Sequence, residues 1–573
     1  MRQTSTGPSK LKAFRLLVAL ALPLSTAVSG CAGEGRAGVG ETIEASPSSA
    51  PAELAAASAA PGASASGPAP GGSAASGTAP VTSAPASATA GAPATAGAPA
   101  SAAPVAGPAP LQASPPAADP PGDRIYAKAR HVWIQPQPRS SKGWLGYLTV
   151  GGSVRLYKGD RAAAKTMGAG CDAWYRVEPD GYVCAGADAT LDPADPEFLA
   201  LRNGAGDATS PWPFHYAEST GARRYDKVPS SAEQRKREWD LEAHQRNIAS
   251  LKNGPGDLRT PKNLVGVDLT PADAPAPTLF DFGPKVREAR DSIAPGSTVG
   301  FIEQFDAEGR TWLLTSDRAL VAKDRTRPYP KIDFHGVQLT GEVKLPIAFF
   351  RKKDRPRYRR EGNAFVATDQ PFARKSWVML TGLEVPDGKE TYLETRDAGA
   401  WVKQSESQVA AVTELPMRDL LKRPGRKTWM DVSVRGGTMV AYEGTKPVFA
   451  TLISPGRGGV PVPGRDPLST ASTPTGTFRV DGKFLWATMV SSTNSSIVHS
   501  DVMYVQNFHG PHALHGAYWH DQWGEPMSGG CVNLAPIDAQ WVFGWSEPQL
   551  PPGWHGMRSV AAFGAPTVVS IRP

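Results

Sequence analysis

A break in composition at Asp123 fixes how much of this chain can fold. Residues 32–122 are almost entirely Ala, Pro, Ser, Gly and Thr, with no aromatic residue and few charges. Such a stretch cannot bury enough apolar surface to offset its conformational entropy, so it is expected to be a disordered tether. As a flexible coil it averages ~50–60 Å end to end, and its proline-rich parts reach further. A spacer of no required length fits the same composition. The core-forming material therefore begins at Asp123, and a chain of 573 residues has room for roughly three to five domains in all.

Ahead of the tether, Arg2, Lys10, Lys12 and Arg15 precede the apolar run Leu16–Leu24, which is too short to span a bilayer as a mature helix. Residues 1–31 therefore read as a secretory signal. Val28-Ser29-Gly30-Cys31 resembles the lipobox of bacterial lipoproteins, which implies a lipid on Cys31 and an exported chain anchored to a membrane. Ala32 at the next position implies the outer membrane, facing the periplasm. An ordinary cleaved signal with an unrelated cysteine is the alternative. The net charge of +7 is carried in large part by the run Arg351–Arg360. An exported chain has no nucleic acid to meet, so this run is either a contact for an anionic envelope polymer or a solvated hairpin tip.

From Asp123 onward the patterning is β. Segments 131–134, 143–150, 153–157, 174–177 and 181–184 read as short strands, with Pro179-Asp180-Gly181 as a hairpin turn. Over 123–190 this looks like a bacterial SH3-type barrel. Cys171 and Cys184 end its last hairpin and are expected to form a disulfide in an oxidising compartment, worth ~2–3 kcal/mol. No second cysteine pair or close histidine accompanies them, which argues against zinc. Residues 191–291 read as a linker with one helix near 231–252, opened by the capping box Ser230-Ser231-Ala232-Glu233. Thr311–Asp317 (TWLLTSD) is then repeated as Thr391–Asp397 (TYLETRD), running on to a Val-x-Lys ending at Lys323 and a Val-Lys ending at Lys403. The repeat predicts two more small β modules, 292–330 and 331–412, serving either as wall-polymer binders or as spacers.

The chemistry concentrates in 509–533, HGPHALHGAYWHDQWGEPMSGGCVN. A thiol is a strong nucleophile only as thiolate, so a catalytic Cys531 needs an imidazole in reach and open backbone N–H groups for an oxyanion. His515 can supply the first, and Gly529 and Gly530 the second. The histidines 509, 512, 515 and 520 also raise the possibility of a zinc hydrolase, but no H-E-x-x-H pattern appears, and no metal or other cofactor is expected.

His515-Gly516 followed by Ser528-x-Gly530-Cys531-Val532-Asn533 resembles the signature of the L,D-transpeptidase catalytic domains of bacterial cell-wall enzymes. Thr473-Pro474-Thr475-Gly476-Thr477-Phe478 is similar to a segment that precedes their active site. One departure is Gly529, where that family usually has histidine. The resemblance covers 417–573 and implies a β-sandwich with one or two short helices. It further implies Cys531 as nucleophile, His515 as general base and acid, and Gly516 offering the carbonyl that orients His515. Peptidoglycan stem peptides are the implied substrate. Ser528, Tyr518, Trp519, Trp523 and Asn533 are expected to wall the substrate slot. Transfer to an amine, hydrolysis as a carboxypeptidase, and a catalytically inert wall-binding scaffold all remain open.

Overall fold

Runs of Val, Ile, Phe and Thr between glycine turns fold as strands, and the protein is mainly β, as its patterning implies. This computed structural model describes residues 54–55, 123–139, 143–158, 171–250, 282–329, 332–491, 496–558 and 560–573. The signal, Cys31 and nearly all of the tether lie outside the described residues. Within the tether, Leu54–Ala55 runs parallel to Met489–Val490. Among the described residues, no helix is long and apolar enough to cross a membrane.

The C-terminal domain is a β-sandwich with a short helix, as expected. One sheet holds, in spatial order, Val337–Gln338, Lys446–Leu452, Thr438–Glu443, Thr428–Ser433, Val568–Arg572 and Gly476–Arg479. The other layer pairs Gly482–Val490, Val498–His509, His512–Gly516 and Val532–Leu534 in that order. Met430, Val432, Val440 and Phe449 of the first share one buried core with Met503, Val505, Leu514 and Val532 of the second.

Helix Pro536–Trp545 packs into this core through Ala539, Val542, Phe543 and Trp545. Asp538 in its first turn accepts from the Gly336 N–H at 2.8 Å and from Thr451 Oγ1 at 2.5 Å. Burial pushes that carboxyl up to about 6. At the other end, Lys483 donates to the carbonyls of Phe543, Ser546 and Pro548 at 2.7, 2.9 and 3.1 Å. It thereby satisfies acceptors that the last helical turn leaves open.

The upstream β segments are not beads on a string. Strands Arg124–Ala127, Ser153–Arg155 and Ala189–Thr190 form one small sheet, and Cys171–Arg176 pairs with Tyr182–Gly186. Cys171 and Cys184 are disulfide-bonded, with Cα atoms 5.6 Å apart. Ile125, Val132, Leu148 and Val183 close their core with Trp554, Met557 and Val560, from the far end of the chain. Strand Gly146–Leu148 pairs directly with Gly556–Arg558 of the sandwich.

The stretch 191–291 is more than a linker. His215–Ser219 and Ala222–Tyr225 are strands that pair with Thr298–Phe301 and Leu320–Val321. Their polar residues hid them in the sequence, yet every residue of His215–Ser219 is buried. The single helix expected there is two, Ser231–Arg237 and Leu241–Ser250. The break falls at Glu238, whose buried carboxylate is drawn inward to Arg310 at 2.8 Å, Arg325 at 2.9 Å and the Tyr225 hydroxyl at 2.9 Å. The expected end at Lys252 lies outside the described residues.

The internal repeat is visible in space. Arg310–Thr315, Leu320–Ala322, the 3₁₀ turn Lys323–Arg325 and Thr326–Pro328 follow the same order as Glu390–Thr395, Ala400–Lys403, the 3₁₀ turn Gln404–Glu406 and Gln408–Ala410. The second copy belongs to its own seven-stranded sheet, whereas the first is joined to the sandwich, Thr298 pairing parallel with His499.

Candidate active site

The site is assembled by one parallel strand pair. Leu514, His515 and Gly516 lie opposite Val532, Asn533 and Leu534. Alternation along a strand puts His515 and Asn533 on one face, and Cys531, one step before the strand, on that face as well. With strands ~4.8 Å apart and ~3.3 Å per residue, the Cα atoms of Cys531 and His515 are a diagonal of roughly 8 Å, a span two inward-facing side chains can close. The spacing of sixteen positions in sequence thus becomes a diagonal across one ladder.

The turn before the nucleophile is tied by Ser528. Its Oγ accepts from the Gly530 N–H at 3.1 Å and donates to the Cys531 carbonyl at 2.5 Å. Ser528 is fully buried, so it holds the turn and does not face a substrate. The same bond occupies the Gly530 N–H, which was expected to face an oxyanion. Among the described residues, no hydrogen bond engages the N–H groups of Gly529 or Cys531, and these are the donors left for that task. Gly530 has φ +133°, and a Cβ there would lie 2.9 Å from both His512 Nε2 and the Ser472 carbonyl. Only glycine fits. Ser472 and Thr473 stand at the start of the Thr473–Phe478 segment, and Thr473 Oγ1 accepts from the Gly456 N–H at 2.8 Å. That segment therefore packs against the turn before Cys531.

His515 is oriented as the motif implies. Nδ1–H donates to the Gly516 carbonyl at 3.0 Å, leaving Nε2 as an acceptor. Nε2 does not meet the thiol here. It accepts from Asn533 Nδ2 at 3.0 Å, while the Cys531 sulfur faces the Pro511 carbonyl at 3.9 Å. Burial pushes the thiol up to about 12, against the help of the Ala513 N–H, and holds His515 down at about 4 despite the Gly516 carbonyl. The pair rests as neutral thiol and neutral imidazole.

Asn533 is not a slot residue. Its Oδ1 accepts from His520 Nε2 at 3.2 Å, so it bridges two buried histidines. Tyr518, Trp519 and Trp523 are also buried, each under a tenth exposed, and serve as packing. Tyr518 stacks on Tyr216 with centroids 3.9 Å apart, and its hydroxyl donates to the Ser500 carbonyl at 2.7 Å. Trp519 stacks on His499 at 4.4 Å, and Trp523 Nε1 donates to Asp521 at 3.0 Å. Cys531 itself is 2% exposed. The thiol is closed off.

Several site residues escaped the sequence. His520 stood out only as one of four neighbouring histidines, because its partner lies across a strand pair. Asp521 and Glu525 receive Lys375 and, at 2.9 Å, Arg351 and Lys352 from the 331–412 module, partners no local pattern reveals. The histidines do not converge: His509 and His512 face each other across the Gly510-Pro511 turn, apart from His515 and His520. Among the described residues, no group of three or more His, Cys, Asp or Glu side chains could hold a metal.

Residues 427–557 match the family model of the L,D-transpeptidase catalytic domain. The family expected from His515-Gly516 and Ser528–Asn533 is borne out over that segment. No curated protein matches the chain. Among solved structures it is similar to an L,D-transpeptidase from Xylanimonas cellulosilytica, at 22% identity over 25% of this chain and 60% of that one, TM-score 0.17. It is similar also to one from Stackebrandtia nassauensis, at 21% identity over 26% and 55%, TM-score 0.17. A third is the catalytic domain of the E. faecium enzyme, at 22% identity over 25% and 96%, TM-score 0.19. The chain thus spans less than two thirds of the first two relatives.

Proposed function

We propose that this protein, whose residues 427–557 belong by family to the L,D-transpeptidase catalytic domains, is a cysteine acyltransferase that forms 3→3 cross-links in peptidoglycan. The observation that carries the reading is the diagonal of Cys531 and His515 on one face of a parallel strand pair, with Gly516 orienting the imidazole. Rotation of the Cys531 side chain away from the Pro511 carbonyl, and release of Nε2 by Asn533, bring sulfur and imidazole together.

His515 then takes the thiol proton, and the thiolate attacks the amide joining the diamino acid of a stem peptide to its terminal D-Ala. A C–S bond forms, the Cys531 and Gly529 N–H groups hold the oxyanion, and each such donor is worth ~3–4 kcal/mol. The C–N bond breaks, D-Ala leaves with the proton from His515, and a thioester remains on Cys531. An amine of a neighbouring stem attacks that carbonyl, passing its proton through His515 back to sulfur. A protein amine in its place attaches a protein, and water gives carboxypeptidation. In this reading the chain is exported, a lipid on Cys31 holds it at the membrane, and the tether spans toward the wall.

The test is intact mass after exposure of the full chain to a carbapenem. A covalent adduct on the wild type and none on Cys531→Ala is expected. An adduct on neither leaves an inert wall-binding scaffold and overturns the proposal.

A further inference from the structure

The mechanism above gives no task to His520, yet His520 is fully enclosed and hydrogen-bonded at both ring nitrogens. The Gln522 N–H donates to His520 Nδ1 at 3.4 Å, so the ring proton is on Nε2. That Nε2–H donates to Asn533 Oδ1 at 3.2 Å, which turns the carboxamide nitrogen toward His515. Asn533 Nδ2 then donates to His515 Nε2 at 3.0 Å, and His515 Nδ1–H donates to the Gly516 carbonyl at 3.0 Å. Every link fixes the direction of the next. The chain of donors begins at a backbone amide and ends at a backbone carbonyl, and neither of those can reverse.

We propose that His520 is a positioning residue: it locks the Asn533 carboxamide with its nitrogen toward His515, and so keeps His515 Nε2 an unprotonated acceptor. This rests on the transpeptidase reading for its use in catalysis but not for its geometry. A flipped carboxamide sets Oδ1 against the His515 lone pair and Nδ2 against the His520 proton, losing two buried hydrogen bonds at once. Protonation of His515 at Nε2 opposes two donors, and the flip that relieves this is the motion His520 resists. The lock therefore disfavours imidazolium in the resting enzyme and keeps Nε2 an acceptor, which takes the thiol proton once the carboxamide withdraws from it.

The other titratable groups around the pair do not replace this effect. His499 faces His515 across Trp519, with Nδ1 3.0 Å from Thr298 Oγ1. Tyr518, beneath Trp519, is held by the Ser500 carbonyl, and the buried Asp501 carboxylate is taken by Ser316 Oγ at 2.6 Å. Asp521, next to His520, is paired with Lys375 and Trp523. Cys531 points to Pro511.

The experiment compares the full chain with His520→Ala, with His520→Asn, whose shorter amide cannot reach Asn533, and with His520→Gln, which keeps a donor at matching reach. The rate of carbapenem adduct formation is followed against pH, and the His515 ring is titrated by NMR on the same proteins. An acidic limb and a His515 titration moved up by ~1 unit in the Ala and Asn variants, and restored in Gln, support the lock. Slower acylation with an unmoved titration in all three variants marks plain packing and overturns it. Absence of any adduct in the wild type counts against the transpeptidase reading alone, since the ring titration still decides the lock.

Discussion

The two copies of the internal repeat meet the catalytic sandwich by opposite means. The module around 298–329 is welded on by backbone and rings: Thr298 pairs with His499, Tyr216 stacks on Tyr518, and Tyr329 hydrogen-bonds Thr298 at 2.8 Å. Beside that seam lies a buried ionic one, in which Arg130 holds Glu288 at 2.9 Å and Arg224 holds Asp317. The module of 347–410 keeps its own sheet and grips the loop that runs from His515 to Cys531 with charge: Arg351 and Lys352 on Glu525, Lys375 and Arg374 on Asp521. Lys352 and Lys375 both sit at positive φ, 40° and 64°, a conformation that persists only where surroundings enforce it. One copy is structural scaffold for the site, the other a clasp on the loop between His515 and Cys531. Similar sequences, placed against different neighbours, acquire different duties.

The contrast can be broken at its strongest point first. Tyr216→Ala removes a buried ring and its 2.9 Å bond to the Asp501 carbonyl, and should cost about 3–4 kcal/mol, read as a drop in Tm of roughly 10 °C that salt does not change. A salt-dependent loss would mean that the seam is ionic after all. Lys375→Ala should cost less, about 1–2 kcal/mol, but free the loop. Alkylation of Cys531 by a small thiol reagent should then run several-fold faster than in the wild type, and lose the acceleration that added salt gives the wild type by screening the clasp. Equal alkylation rates would show the ion pairs to be ornamental. At the bottom of the scale, Arg359→Ala touches an exposed pair with Glu361 at 2.8 Å and should move stability by under ~0.5 kcal/mol with no change in alkylation.

The sandwich and the pairing of the His515 and Asn533 strands were legible because they depend on local order: His515-Gly516, the Gly-rich turn before Cys531, and alternation on short strands. The closed state was not. Tyr518, Trp519 and Trp523 look like slot aromatics in a polar stretch, and only the arrival of Tyr216, Tyr329 and Phe334 from other segments makes them core. Asn533 has a short polar side chain whose partner His515 is set by the register of a parallel pair, and Ser528 turns inward onto its own turn at Gly530 and Cys531; spacing alone fixes neither. The strands at 215–225 carry Glu218 and Arg224 at buried positions because Arg327 and Asp317 pair with them, so hydropathy reads them as linker. The basic run 351–360 was visible as charge, but its partners, Glu525, Glu406 and Asp397 among them, were not.

The core shared by the strands of 124–190 and residues 554–560 sets a clock on biosynthesis. Ile125, Val154 and Ala189 leave the ribosome long before Trp554, Met557 and Val560, which finish their packing about 365 residues later. At ~5–20 residues per second the nascent strands wait roughly 20–70 s with one side of their core open. A polypeptide stalled short of Trp554 has no way to bury that side.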